Sequence, residues 1–86
     1  MRLEFEKEAW QDIEYWKRTD KNKLKKILTL IISIRNSPFS GIGKPEALKH
    51  EIVGAWSRRI DRTNRLVYKV EGDVVKILQC RYYYDK

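Results

Sequence analysis

The stretch Ala55-Trp56-Ser57-Arg58-Arg59-Ile60-Asp61-Arg62-Thr63-Asn64-Arg65-Leu66-Val67-Tyr68-Lys69-Val70 reads as two strands about a turn. Its side chains follow a period of two, the spacing that sends alternate residues to opposite faces of a sheet. Asp61-Arg62-Thr63-Asn64 supplies residue types whose short polar side chains bond their own turn. Strands are therefore expected over 55–60 and 65–70, and a third over 74–82 after Glu71-Gly72-Asp73, making an antiparallel meander. Ala55, Ser57 and Arg59 share one face, as do Arg65, Val67 and Lys69, while Trp56, Arg58 and Ile60 point the other way. A four-residue turn pairs Ile60 with Arg65 or a neighbour. Arg58 or Arg59 then meets Arg65 across the ladder, where like charges repel unless an anion relieves them.

Working outward, residues 48–53 read as a further strand before Gly54. Residues 37–47 hold both prolines and two of the four glycines, with neither helical period nor alternation, and are expected to form an ordered surface loop. Upstream the period becomes helical. Leu24, Ile27, Leu28, Ile31 and Ile34 recur at three- and four-residue steps after Thr19-Asp20, which offers an N-cap, and Pro38 ends that helix. Ala9, Trp10, Ile13 and Trp16 mark an earlier helix from Lys7 to about Arg18, with Trp10 and Trp16 in the core. Arg2-Leu3-Glu4-Phe5-Glu6 alternates as a short strand that buries Leu3 and Phe5. The fold class is α+β.

Length and composition bound the rest. At 86 residues and 10.4 kDa the chain is expected to hold one domain, 1–86, since so few apolar residues cannot furnish two cores. Its 42% hydrophobic content and ten aromatics argue against disorder. No uncharged run exceeds eight residues, against the roughly 20 of a membrane-spanning helix. Charges near the N-terminus take the place of a secretory signal, so the expected location is cytoplasmic, with no membrane partner. One cysteine and one histidine make no zinc-site pattern. The net charge of +7 is densest between residues 44 and 69, which hold seven basic and three acidic residues, and favours anionic partners.

Arg58, Arg59, Arg62 and Arg65 fall within eight residues, and the planar guanidinium fork matches phosphate oxygens. Glu46, held after Pro45 with Lys44 and Lys49 nearby, is placed either as a general base for a sugar hydroxyl or as a surface carboxylate paired with a lysine. Lys49, Arg59 and Arg65 can hold a scissile phosphate and offset its developing charge. Tyr82, Tyr83 and Tyr84 either stack on unpaired bases or cover the end of the sheet. His50 is expected at a packing or edge position, and Cys80 as buried filler. No glycine-rich phosphate loop, metal-ligand pattern or serine triad is present.

Ser37-Pro38-Phe39-Ser40-Gly41-Ile42-Gly43-Lys44-Pro45-Glu46-Ala47-Leu48-Lys49-His50, followed by Gly54-Ala55-Trp56-Ser57-Arg58-Arg59-Ile60 and Arg65-Leu66-Val67-Tyr68, closely resembles the YoeB/Txe branch of the RelE superfamily. The likeness extends to Trp10, Trp16-Lys17 and Thr19-Asp20-Lys21 and covers essentially the whole chain. It implies the toxin of a type II toxin–antitoxin pair, a ribosome-dependent endoribonuclease that cuts mRNA in the A site without a metal or other cofactor and halts translation. It also implies a RelE-like fold, with an N-terminal strand and a two-helix hairpin on a curved antiparallel sheet. By this resemblance Glu46 matches the general base, Arg65 the phosphate-stabilising arginine, Lys49 and Arg59 substrate-contacting cations, and Tyr84 a terminal aromatic. One position departs: Tyr83 stands where the family has a histidine acting as general acid on the leaving 5′ oxygen. A phenol titrating near ~10 is protonated at neutral pH and can donate, but recycles its proton less readily than imidazole. That departure keeps open a weakened or non-catalytic homologue that binds ribosome or antitoxin, beside a generic RNA-binding domain. The implied partners are an acidic, YefM-like antitoxin that covers the site, the ribosome with its rRNA and mRNA, and a second copy in a homodimer.

Overall fold

The computed structural model describes residues 1–50 and 52–82. Strand β1 (Arg2–Phe5) leads into helices α1 (Lys7–Thr19) and α2 (Lys21–Asn36), followed by β2 (Glu46–Ala47), β3 (Ala55–Arg59), β4 (Arg65–Glu71) and β5 (Val74–Gln79). The strands form one sheet in the order β1-β5-β4-β3-β2. The meander β3-β4-β5 is antiparallel, as expected, and Arg59 lies opposite Arg65. Strand β1 instead runs parallel to β5, so the sheet is mixed. One edge of β5 is taken by β4, and β1 fills the other.

Asp20 separates the helices. Its carboxylate accepts the backbone N–H groups of Asn22 and Lys23, capping α2. Both helices lie on one face of the sheet, where Ala9, Trp16, Ile27, Leu30, Ile31 and Ile34 pack with Ile60, Leu66, Tyr68, Val75, Ile77 and Cys80. Each wholly buried Ile or Leu here contributes about 2 kcal/mol. Two expected core positions lie elsewhere. Trp10 is 53% exposed and Leu28 48%, because the buried stripes centre on Ala9 and Trp16 in α1 and on Ile27, Leu30 and Ile34 in α2. Trp10 stacks instead on Phe5, ring centroids 4.6 Å apart. Leu48, Ala55 and Val67 form a smaller cluster on the opposite face, with Ile52 and Leu78 against it.

The additional strand is Glu46–Ala47, earlier and shorter than the expected 48–53. Leu48 N–H still donates to Ala55 C=O at 2.9 Å, after which the chain leaves the ladder, so His50 is exposed outside any strand. Strand β5 stops at Gln79, short of the expected Tyr82, whose φ of +66° turns the chain out of the extended conformation. Cys80 is buried, as expected: its N–H donates to Asp12 Oδ2, and its carbonyl accepts Trp16 Nε1–H. Burial and the nearby Asp12 carboxylate push its thiol up to about 12, which makes it a poor nucleophile.

Arg58, expected among the phosphate-binding arginines, is completely buried on the helix side of β3. Its Nε–H donates to Tyr68 Oη, one terminal nitrogen to Ser33 Oγ and Ile42 C=O, and the other to Ser37 and Ser40 C=O, at 2.7–3.2 Å. All five donors of the guanidinium are thus used, and Tyr68 passes the chain on by donating to Pro38 C=O at 2.6 Å. The sequence places Arg58 in a basic run, but the pleat turns it inward, away from Arg59. Gly41 and Gly43, with φ of +119° and +81°, are required here. A β-carbon at Gly41 would sit 2.7 Å from Ser33 Oγ, and one at Gly43 2.7 Å from a Leu30 methyl.

Replacing Arg58 by Met orphans these buried carbonyls, and Lys has too few donors in the wrong geometry to replace the fork. Arg58→Met is expected to lower stability by about 3 kcal/mol or more, and Arg58→Lys nearly as much, in chemical denaturation, with faster amide exchange over residues 37–43. An unchanged midpoint would contradict this role. Asp61 gives a pH-dependent counterpart. Burial raises its pKa, but Lys23 at 3.0 Å, the N–H groups of Thr63 and Asn64, and the Asn64 amide together outweigh burial and hold it well below the usual carboxylate range. A depressed carboxylate stabilises the fold above its unfolded pKa of about 3.9 and loses that contribution as pH falls through its folded value. Asp61→Asn is expected to lower Tm near pH 7, with the gap to the unsubstituted protein narrowing below about pH 4. Asp12, raised chiefly by burial, has the opposite sign but is common to both proteins.

Candidate active site on the open face of the sheet

The ladder register decides which side chains meet. Glu46 lies opposite Ser57, Ser57 opposite Val67, and Arg59 opposite Arg65. Directly opposed residues project to the same face, so Glu46, Ser57, Arg59 and Arg65 share the face away from the helices. Glu46 and Arg65 are two strands and two residues apart, roughly 12 Å between Cα atoms from ordinary sheet spacings. Their long side chains can therefore bracket a ribose and its phosphate. Ser57 is buried between them, and Glu46 and Arg59 are exposed. Lys49, also exposed, follows three residues after Glu46.

The segment that delivers Glu46 is the loop folded about Arg58. Gly43 C=O accepts Arg59 N–H at 2.7 Å, tying the loop to the end of β3. Lys44 then adopts φ +52°, a left-handed conformation that a non-glycine residue holds only when its surroundings impose it. Lys26, Lys44, Arg59 and Arg62 line a hollow of about 360 Å3 beside this tie, so three further cations flank Arg59.

Arg65 is only 7% exposed. Its guanidinium bends over its own turn and donates to Asp61 C=O at 3.0 Å and Asn64 C=O at 3.3 Å. Asp61 closes that turn, and its salt bridge to Lys23 fastens it to α2. The turn also holds the C-terminal chain: Asn64 Oδ1 accepts Tyr82 N–H at 2.7 Å, and Arg65 N–H donates to Tyr82 C=O at 2.9 Å. Arg81 lies between the rings of Tyr15 and Tyr82, its Cζ 3.4 and 4.5 Å from their centroids. Tyr82 is half exposed. Tyr83 and Tyr84 lie outside the described residues.

Of the arginines in the cluster, then, Arg59 and Arg65 lie on the same face of the sheet as Glu46 and Arg58 does not. Asn64 and Asp61 were not singled out from the sequence beyond their turn composition. Among the described residues no three His, Cys, Asp or Glu side chains group as a metal site, and no helix is long and apolar enough to cross a membrane. An exposed carboxylate on a stiff edge strand, facing two arginines, can accept a proton beside a bound phosphate.

Known proteins are similar to this chain over nearly its full length. Residues 5–84 match the family described as YoeB-like toxins of bacterial type II toxin–antitoxin systems. Toxin YoeB of Escherichia coli K12 is 51% identical over 84 residues, covering 98% of this chain and 100% of that protein. The YoeB/ParE toxin from Agrobacterium tumefaciens superposes with a TM-score of 0.93 at 43% identity, over 98% of this chain and 100% of that one. A YoeB dimer and a heterotetrameric YoeB–YefM complex, both from Staphylococcus aureus, each give 0.87 over 98% of both chains, at 44% and 41% identity. With sequence and fold matched over nearly their full length, the chain belongs to the YoeB-like toxins of bacterial type II toxin–antitoxin systems.

Proposed function

We propose that this toxin is a ribosome-dependent, metal-independent endoribonuclease that cleaves mRNA in the ribosomal A site and so inhibits translation in the cytoplasm. The observation that carries the reading is the shared face of Glu46, Arg59 and Arg65 set by the β2-β3-β4 register. Glu46 takes the proton of a ribose 2′-OH as that oxygen attacks the adjacent phosphorus. Arg65, with Arg59 and Lys49, holds the phosphate and offsets the charge gathering on its non-bridging oxygens. Tyr83 gives its phenolic proton to the departing 5′ oxygen, and Tyr84 packs on a base. One P–O bond forms and one breaks, leaving a 2′,3′-cyclic phosphate and a 5′-hydroxyl. The basic charge suits both ribosomal RNA and an acidic, YefM-like antitoxin that covers the site. The solved S. aureus complex and dimer support an antitoxin partner and a homodimer here.

A second reading rests on Tyr83: a homologue that binds the ribosome or antitoxin but cleaves poorly. Primer extension on mRNA in a purified translation system separates the two. The protein is expected to produce new 5′ ends at A-site codons with ribosomes and none without, and Glu46→Gln to slow cleavage at least about 100-fold. Absence of ribosome-dependent ends would reject the nuclease. Tyr83→His is expected to change the rate by less than about tenfold; a larger gain would favour the weakened homologue.

A further inference from the structure

We infer that Asn64 is a positioning residue of this site, acting through the Tyr82 peptide to set where the C-terminal segment starts beside Arg65. The inference rests on the nuclease reading above, because it concerns the segment that carries the proposed proton donor. Its support is a chain of short contacts. Asn64 Oδ1 accepts Tyr82 N–H at 2.7 Å, while Asn64 Nδ2 donates to both carboxylate oxygens of Asp61 at 3.1 Å. The amide is thereby fixed in orientation: its nitrogen faces an anion, and its oxygen can only face the Tyr82 N–H.

Tyr82 needs such a hold. Its φ of +66° costs about 1 kcal/mol or more for a residue with a β-carbon. The conformation is met from both sides, by Asn64 at the N–H and by the Arg65 N–H at the carbonyl, 2.9 Å away. Gln79 Nε2 donates to Arg81 C=O at 2.9 Å, and Arg81 lies against Tyr15, so the approach to Tyr82 is held as well. The same four-residue turn receives the Arg65 guanidinium through the Asp61 and Asn64 carbonyls. One turn thus fixes both the phosphate-binding arginine and the peptide immediately before Tyr83. Proton transfer depends steeply on such placement.

The test compares Asn64→Ala, Asn64→His and Lys76→Ala with the unsubstituted protein. Histidine places Nδ1 where Asn64 has Oδ1 and can still accept the Tyr82 N–H, whereas alanine cannot. Lys76→Ala removes a salt bridge of the same kind, Lys76–Glu71, away from this turn. Single-turnover cleavage on programmed ribosomes gives the maximal rate and the half-saturating ribosome concentration. Amide exchange at Tyr82 reports the hydrogen bond itself. Asn64→Ala is expected to lower the maximal rate about 10- to 100-fold with half-saturation within about twofold, and to lose Tyr82 amide protection. Asn64→His is expected to restore most of both, and Lys76→Ala to keep the rate within about threefold. An Asn64→Ala rate equal to the unsubstituted protein's overturns the inference while leaving the nuclease reading intact. So does a Lys76→Ala loss of the same size, or a Tyr82 amide unprotected before substitution. An unsubstituted protein that cleaves nothing overturns the nuclease reading and the inference with it.

Discussion

A buried guanidinium organises this protein. Taking Arg58 out of water is costly for a cation, and the cost is offset only because every donor meets an oxygen. Those oxygens come from three places: α2 through Ser33, β4 through Tyr68, and the loop between α2 and β2 through the Ser37, Ser40 and Ile42 carbonyls. A segment rich in proline and glycine, with no regular structure of its own, is thereby given one shape. Burial raises the Tyr68 phenol, partly offset by Arg58. The phenol therefore stays protonated and keeps its bond to Pro38. The loop ends at Glu46, so the path of the chain into that residue traces to a side chain on the opposite face of the sheet.

The second organising element is the β3-β4 turn. Asp61 gathers backbone N–H groups, the Asn64 amide and Lys23 around one carboxylate, and the closed turn offers its carbonyls to Arg65. The Arg59 and Arg65 pairing across the ladder is electrostatically unfavourable in isolation. Arg65 lowers the conflict by bending toward those carbonyls while Arg59 extends to solvent. A bound phosphate would lower it further. Preorganised cations of this kind gain most from an anion whose charge increases during reaction.

The sequence is most legible where the physics is local. The Asp20 cap, most of the α2 stripe and the Asp61–Asn64 turn follow from neighbouring residues; the turn composition pairs Arg65 with Ile60 or a neighbour, and the observed partner is Arg59, while Leu28 lies outside the buried stripe. The fold class, α+β, followed from them. What was not legible depended on distant partners. Arg58 has the same residue type whether it meets phosphate or carbonyls, and only the loop's path distinguishes these. The place of β1 in the sheet depends on which edge of β5 remains open. A two-residue β2 has too little pattern to locate, and Trp10 looked like core because its spacing lies one position from the stripe that is buried. The roles assigned to Glu46, Arg65, Lys49, Arg59, Tyr83 and Tyr84 came from family resemblance. The register adds the fact that Glu46, Arg59 and Arg65 share a face.

The proposed function turns on one chemical step, attack by a ribose 2′ oxygen on the phosphate beside it. That step can be removed from the substrate without altering the protein. Ribosomes programmed with mRNA carrying a single 2′-deoxynucleotide at the cleaved linkage would supply the most direct measurement. The account expects scission there to vanish while the all-ribose message is cut. Cutting of the deoxy linkage at a comparable rate would contradict it.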